Sequence, residues 1–162
     1  TLSPSSAASD VYKRQIEKLL KAKKNGMFLL FDVDKFKHIN DTYGHSIGDE
    51  VLIQVADALK QTFEQAGVCM RLGGDEVAVY APEITEQMQA ETMIQAFFER
   101  IRNIAIPQME GDAISVSLGA VLCAPDREHV FEKVYQRADA TMYTCKKVIG
   151  NSYDFYTGRN PA

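Results

Sequence analysis

Residues 67–82 of the chain read GVCMRLGGDEVAVYAP. The apolar and β-branched residues in this stretch predict two short strands, Val68 to Leu72 and Glu76 to Tyr80. Gly73 and Gly74 lie between the strands, and adjacent glycines favour a tight turn because they tolerate positive φ. The stretch therefore predicts a β-hairpin in the middle of the chain.

The segments on both sides of this hairpin alternate between strand-like and helix-like patterns. Hydrophobic periodicity predicts, in chain order, the end of a helix at Ile16 to Lys24, a strand at Met27 to Asp32, helices at Asp34 to Tyr43, Ser46 to Gln65 and Thr85 to Asn103, a strand at Ile114 to Leu122, a helix at Glu128 to Lys147 and a strand at Ser152 to Tyr156. This order indicates a ferredoxin-like α+β fold, in which helices flank a mainly antiparallel sheet.

Composition narrows the class of protein. The 162 residues are 46% hydrophobic and 25% charged, which fits one globular domain with its own core. Eighteen Lys and Arg against 22 Asp and Glu give a net charge of −4, which disfavours binding to nucleic acid through its phosphates. No apolar run is long enough to span a bilayer, no signal-peptide pattern is present, and the three cysteines form no zinc motif. We therefore expect a cytoplasmic domain that contacts neither nucleic acid nor membrane, either of a soluble protein or of a membrane-anchored one.

One domain accounts for most of the chain. Residues 1–15 are rich in Ser and Ala and lack apolar periodicity, so we interpret them as a linker or as a tail foreign to the natural domain. Residues 16–158 form the domain, and residues 159–162 are a C-terminal tail. We find no internal repeat.

Two carboxylates, Asp32 and Asp34, follow the first predicted strand. A carboxylate at a strand end reaches the edge of the sheet, where a hard cation and phosphates can approach it. Asp34 could equally cap the next helix by accepting backbone N–H groups, and both interpretations stay open for it. Capping explains Asp32 less well, because this acid ends a wholly apolar strand.

The hairpin adds two further acids, Asp75 and Glu76. Adjacent strand residues point to opposite faces, so only one of the two should face Asp32 and share a metal ion with it. An acidic hairpin turn is common, and by itself it would be weak evidence of a site.

A third cluster, residues 40–49, reads NDTYGHSIGD. Asn40 and Asp49 together offer the donors and acceptors that can read a guanine edge. Both could instead be helix caps, with Asp49 starting the second helix. His45 is explained more simply as a turn histidine than as a catalytic base.

Taken together, residues 31–49 and 71–76 spell F-D-x-D-x-F-K-x-x-N-D-x-x-G-H-x-x-G-D followed by R-L-G-G-D-E. This combination resembles the GGDEF family of diguanylate cyclases, and the resemblance extends over roughly residues 16 to 156. Later stretches agree with it, since V-S-L-G-A at residues 116–120 and A-D-A-T-M-Y at residues 138–143, with Lys146, are similar to family motifs.

The resemblance implies a fold like the palm of nucleotidyl cyclases and polymerases, and condensation of two GTP into cyclic di-GMP with release of pyrophosphate. It also implies a homodimer for turnover, because each protomer holds one GTP, and an upstream sensory or dimerising region. The implied residue roles are two Mg²⁺ or Mn²⁺ ions per active site on Asp32, the Val33 carbonyl and Asp75; catalysis by Asp75, Glu76 and Lys37; and substrate binding by Phe36, Asn40, His45, Asp49 and Lys146.

The chain departs from the family pattern at several positions. Val77 replaces the signature phenylalanine, Gly150 stands where a basic residue is usual, and the entry motif Asp-x-Leu-Thr-Gly is not found. Glu64 and Gly67 occupy the positions of an inhibitory Arg-x-x-Asp product site, which predicts no product feedback there. The alternative to an active cyclase is therefore a degenerate, GTP-binding regulatory module. A cyclase with relaxed base choice is disfavoured by Asp49, and a purely structural domain by the paired acids.

Overall fold

The computed structural model describes residues 6–22, 26–124 and 129–158. Its elements are α1 (Ser6–Lys21), β1 (Gly26–Val33), α2 (Phe36–Tyr43), α3 (His45–Phe63), β2 (Val68–Gly73), β3 (Glu76–Ala81), α4 (Gln87–Arg102), a short 3-10 helix (Pro107–Met109), β4 (Val116–Cys123), α5 (Phe131–Cys145) and β5 (Ser152–Phe155). Each predicted helix and strand is present, with its ends shifted. The predicted helix end at Lys24 and the predicted helix start at Glu128 lie outside the described residues.

The strands form one sheet in the order β2-β3-β1-β4-β5. The central strand β1 pairs antiparallel with β3 and β4, and β2 pairs antiparallel with β3, whereas β5 runs parallel to β4. The predicted α+β fold with a mainly antiparallel sheet is therefore confirmed. All eight residues of β1 are buried, Asp32 among them, and the apolar run Met27 to Phe31 predicts this burial for most of the strand.

Helices cover both faces of the sheet. The helices α3 and α4 pack on one face, where Phe63 and Phe97 are fully buried. The helices α1 and α5 pack on the other face, where Phe28 and Phe131 meet edge to face. We call the second face the α5 face.

The start of the chain differs from the prediction. Helix α1 begins at Ser6, within the segment 1–15 that the sequence suggested was a linker or tail, and the residues from Ile16 onward are the end of this helix, as predicted. The segment SAASDVYKRQ lacks Gly and Pro, and its two alanines favour helix. Ile16 and Leu20 then anchor α1 on the α5 face, where both are buried. Residues 1–5 and the predicted tail 159–162 lie outside the described residues.

The cysteines form no disulfide among the described residues. Cys69, Cys123 and Cys145 are all free thiols. Burial raises the pKa of Cys69 to about 11, so this thiol is a poor nucleophile at neutral pH.

Within the described part of the chain, no helix is both long and apolar enough to cross a membrane.

Candidate active site

The register between β1 and β3 places Asp32 directly opposite Glu76. Residues that face one another in antiparallel strands project from the same side of the sheet, so both carboxylates belong to the α5 face. Asp75 precedes Glu76 at the tip of the hairpin, and its side chain lines a groove beside α3. Of the two hairpin acids, Glu76 is therefore the one aligned with Asp32 across the strands, while Asp75 at the hairpin tip is close enough for its charge to act on Asp32.

Asp32 is a buried carboxylate with one partner. Only 6% of its surface is exposed, and Lys146 donates a hydrogen bond from Nζ to its Oδ2 at 2.5 Å. Its other oxygen, Oδ1, has no hydrogen-bond partner among the residues that the structure describes. Burial raises the pKa of Asp32 from 3.8 to about 6 in spite of Lys146, and the charges of Asp75 and Asp34 add to the rise.

Glu76 has a partner that the sequence did not point to. The hydroxyl of Tyr135, on α5, donates a hydrogen bond to Glu76 Oε1 at 2.5 Å. Burial, with the nearby Glu76 carboxylate, raises the pKa of the Tyr135 phenol, so the group remains a donor at neutral pH. Nothing in the spacing of residues along α5 distinguishes this tyrosine from an ordinary core residue.

Asp34 is held by β4 and does not cap α2. Ser115 and Ser117 donate hydrogen bonds to its two carboxylate oxygens, each at 2.6 Å. The cap position of α2 belongs to Lys35, whose φ of 53° lies in the left-handed region that a non-glycine residue seldom adopts. The capping interpretation of Asp34 is therefore wrong. The two serines were not predicted as part of the site.

Helices α2 and α3 meet in their second turns, where Asn40 contacts Gly48. A Cβ atom at Gly48 would lie 1.8 Å from Asn40 Oδ1 and 3.5 Å from Phe36 Cζ, so the Asn40 amide packs directly on the Gly48 backbone. Asp49 is the next residue along α3 and is exposed. Asn40 and Asp49 both lie inside helices, and the interpretation of either residue as a helix cap is wrong.

Among the described residues, three cavities lie near the acids. The smallest, which we call the α3 groove, has a volume of about 340 Å³, and its lining includes Val33, Asp49, Leu52, Arg71 and Asp75. Another, which we call the α5 pocket, has a volume of about 480 Å³, and its lining includes Asp34, Lys35, His38, Lys146, Lys147 and Gly150. The third, of about 390 Å³, is lined by Asp75, Glu76 and Tyr135 among others. The α3 groove thus combines acids with an apolar wall and Arg71, and the α5 pocket is the one lined by several lysines.

The chemistry of the acids fits a divalent cation, but only in part. The unpaired, buried Oδ1 of Asp32 is the kind of oxygen that a hard cation binds, and Asp75 and the Val33 carbonyl lie at the same edge of the sheet. Among the described residues, however, no group of three or more His, Cys, Asp or Glu side chains is close enough to hold a metal ion. This arrangement suits Mg²⁺, which proteins often bind through one or two carboxylates together with substrate phosphates.

Other predicted site residues stand apart from the acids. Lys37 is exposed in the first turn of α2, and His45 is exposed at the start of α3. Among the residues that the structure describes, no hydrogen bond or ion pair joins either side chain to the acids, and their roles stay predictions.

The departures from the expected motifs also have structural counterparts. Val77 is buried in the core between the sheet and the helices α3 and α4. Gly150 lines the α5 pocket and contributes no cation to it. A Cβ atom at Gly67 would lie 2.0 Å from the Tyr80 carbonyl oxygen, so an aspartate has no room at this position of the expected product site.

The chain matches known proteins over most of its length. The family "Diguanylate cyclase, GGDEF domain" matches residues 6–152. Diguanylate cyclase DosC of Escherichia coli (strain K12) is 34% identical over 145 residues, which cover 85% of this chain and 30% of DosC. Uncharacterized protein YtrP of Bacillus subtilis (strain 168) is 30% identical over 133 residues, which cover 82% of this chain and 22% of YtrP.

Solved structures share the fold. The GGDEF domain of DgcB from Caulobacter crescentus, solved in complex with c-di-GMP, superposes with a TM-score of 0.77 at 24% identity, covering 91% of this chain and 86% of that one. The mixed sheet flanked by helices is accordingly a palm-type α+β fold. Together with the match over residues 6–152, it shows that the chain belongs to the GGDEF family of diguanylate cyclase domains. The chain spans less than a third of the length of DosC or YtrP.

Proposed function

We propose that this domain is an active diguanylate cyclase that condenses two GTP into cyclic di-GMP and releases pyrophosphate. The observation that carries the proposal is the alignment of Asp32 with Glu76 across β1 and β3, with a buried Asp32 oxygen that has no hydrogen-bond partner in the described part of the chain. A buried carboxylate in this state is costly, and a bound cation would offset the cost. DosC, a third identical, bears the name of this activity.

Asp32, Val33 and Asp75 lie at one end of β1 and of the hairpin, which we call the acidic edge. This edge would hold Mg²⁺ or Mn²⁺, two per active site, on Asp32, the Val33 carbonyl and Asp75. Such ions lower the pKa of an attacking hydroxyl and neutralise charge on phosphate oxygens. Glu76 lies beside Asp32 and would accept the proton of the 3′-hydroxyl as it attacks the α-phosphate.

The α5 pocket would take the phosphate tail of GTP. Lys146 lines this pocket and is hydrogen-bonded to Asp32, so its ammonium lies between the acids and the pocket. Lys37, in the first turn of α2, would add positive charge, and the N–H groups at the start of α2 would favour an anion.

The α3 groove would take the guanine base. Asp49 would accept two N–H groups of guanine, and Asn40, held in place over Gly48, would bond its ring edge. Leu52 would cover a face of the base, since it lines the same groove. Phe36 and His45 complete this substrate-binding set.

A GTP-binding module without turnover is the second candidate, and Gly150 favours it. This residue leaves the α5 pocket without the basic side chain that the family usually has there. The two candidates differ in product formation and agree in GTP binding.

The first experiment is a product assay. Concentrated protein is incubated with GTP and Mg²⁺, and separately with Mn²⁺, and the nucleotides are identified by mass spectrometry. We expect cyclic di-GMP from the wild type, none from Asp75→Ala, and an unchanged yield from Asp10→Ala, in which an exposed acid of α1 is removed. GTP binding without product, in a chain dimerised by fusion, would overturn the proposal in favour of the module.

A further inference from the structure

Helix α5 supplies a hydrogen-bond donor to each of the two paired acids. Tyr135, in the second turn of the helix, donates to Glu76 Oε1, and Lys146, directly after its last residue, donates to Asp32 Oδ2. One helix therefore constrains one oxygen of each carboxylate. Lys146 belongs to the predicted site, whereas Tyr135 has no role in the function proposed above.

The position of Tyr135 is fixed by packing. A Cβ atom at Gly119 would lie 2.1 Å from the Ala138 carbonyl oxygen, so α5 approaches β4 as closely as glycine allows. The ring of Tyr135 stacks on that of Phe131 with centroids 6.3 Å apart. With the helix and the ring both held, the hydroxyl has little freedom relative to the sheet.

Glu76 needs such a constraint more than Asp32 does. Its side chain is half-buried at the edge of the hairpin, directly opposite a second carboxylate. Without a hydrogen-bond partner, a half-buried carboxylate in this position would turn toward solvent. A phenol that donates to a carboxylate forms a charge-assisted hydrogen bond, which is among the stronger kinds in proteins.

We propose that Tyr135 is a positioning residue, whose hydroxyl holds the Glu76 carboxylate at the end of the β1–β3 pair, where it accepts the substrate proton and adds negative charge next to the cation ligands Asp32 and Asp75. The inference rests on the proposed function, since it assigns Glu76 a part in cyclase chemistry. It adds a residue of α5 that none of the sequence motifs includes.

The test is Tyr135→Phe, which removes the hydroxyl and keeps the stacked ring. We expect kcat to fall about tenfold and the Mn²⁺ concentration for half-saturation to rise about tenfold, while KM for GTP changes less than about twofold. Mn²⁺ binding is measured by electron paramagnetic resonance with a non-hydrolysable GTP analogue. The thermal midpoint should change little, because packing is conserved. Tyr143→Phe, at an exposed tyrosine of the same helix, is the matched control and should behave as wild type.

A double-mutant cycle separates positioning from a general effect on the fold. In a Glu76→Gln background, Tyr135→Phe should change Mn²⁺ binding by less than about twofold, because the carboxylate on which it acts is gone. Equal kcat and equal Mn²⁺ affinity in wild type and Tyr135→Phe would overturn the positioning role and leave the cyclase proposal intact. A wild type that makes no product but binds Mn²⁺ more tightly than Tyr135→Phe would overturn the cyclase proposal and still support positioning.

Discussion

Asp32 lies in a buried position, where its negative charge lowers the stability of the folded chain. Burial disfavours the carboxylate, while the single hydrogen bond from Lys146 compensates only in part, since the pKa of Asp32 remains raised at about 6. A carboxyl group whose pKa is higher in the folded than in the unfolded chain binds more protons when folded. The metal-free protein should therefore lose stability as pH rises through the window from about 4 to about 6.

Asp32→Asn removes the ionisation and should remove this loss. In EDTA at pH 7.5, we expect the variant to have a free energy of unfolding about 2 kcal/mol higher than wild type, and the difference to vanish near pH 4. Urea unfolding across the pH range measures it. Asp10→Asn, at an exposed acid, should keep the wild-type profile. A variant less stable than wild type at pH 7.5 would contradict the destabilising role of the charge.

The sequence pointed to Asp32 because an acid ended an otherwise apolar strand. It left open which hairpin acid faces Asp32, since the answer depends on the register between β1 and β3, which a one-residue shift would reverse. Tyr135 was not predicted as a site residue for a related reason. Its role comes from the packing of α5 on the sheet, and no local pattern encodes that packing.

The α2 and α3 helices meet at a contact that only glycine permits. The Asn40 amide lies against the Gly48 backbone, where a Cβ atom would be 1.8 Å from Asn40 Oδ1. The crowded atom is the end of a side chain, which can rotate away more easily than backbone can move. A larger residue at position 48 should therefore displace Asn40 and leave both helices in place.

Gly48→Ala tests this contact between α2 and α3. We expect GTP affinity to fall about tenfold, because the displaced amide no longer bonds guanine, with a change in unfolding free energy within about 1 kcal/mol. Calorimetric titration with a non-hydrolysable GTP analogue measures the affinity. In an Asn40→Ala background the same substitution should have no further effect on affinity and should slightly stabilise α3, since alanine favours helix. An unchanged affinity for the single variant would remove Asn40 from the guanine site.

Among the helices and strands, the sequence predicted best those whose buried side gives a regular spacing of apolar residues. The hairpin, β1 and α3 carry strong apolar patterns and were predicted within a few residues of their ends. Helix α1 was recognised only from Ile16 onward, because residues 10–15 are exposed or half-buried and show no apolar stripe. Its start follows from helix propensity, a weaker signal than periodicity.

At the scale of the whole molecule, the α3 groove and the α5 pocket together would hold one GTP by the proposal above. The α3 groove and the α5 pocket flank Asp32, and Lys146 connects the second cavity to it. A condensation of two GTP then requires the acidic edges of two copies to face each other. One copy of the domain would position one GTP, and the second GTP would have to be bound by a second copy.

Activity should therefore depend on encounter between protomers. In the dilute range, product formation by the unfused chain should rise with roughly the square of protein concentration, so that specific activity doubles for each doubling of concentration. Fusing a parallel dimeric coiled coil ahead of Ser6 should raise the effective concentration to about the millimolar range and make specific activity independent of dilution. A fusion to a monomeric helix of equal length is the control and should keep the concentration dependence. If the unfused chain stayed monomeric by light scattering and still showed constant specific activity on dilution, one protomer would be sufficient and the facing-dimer mechanism would be wrong.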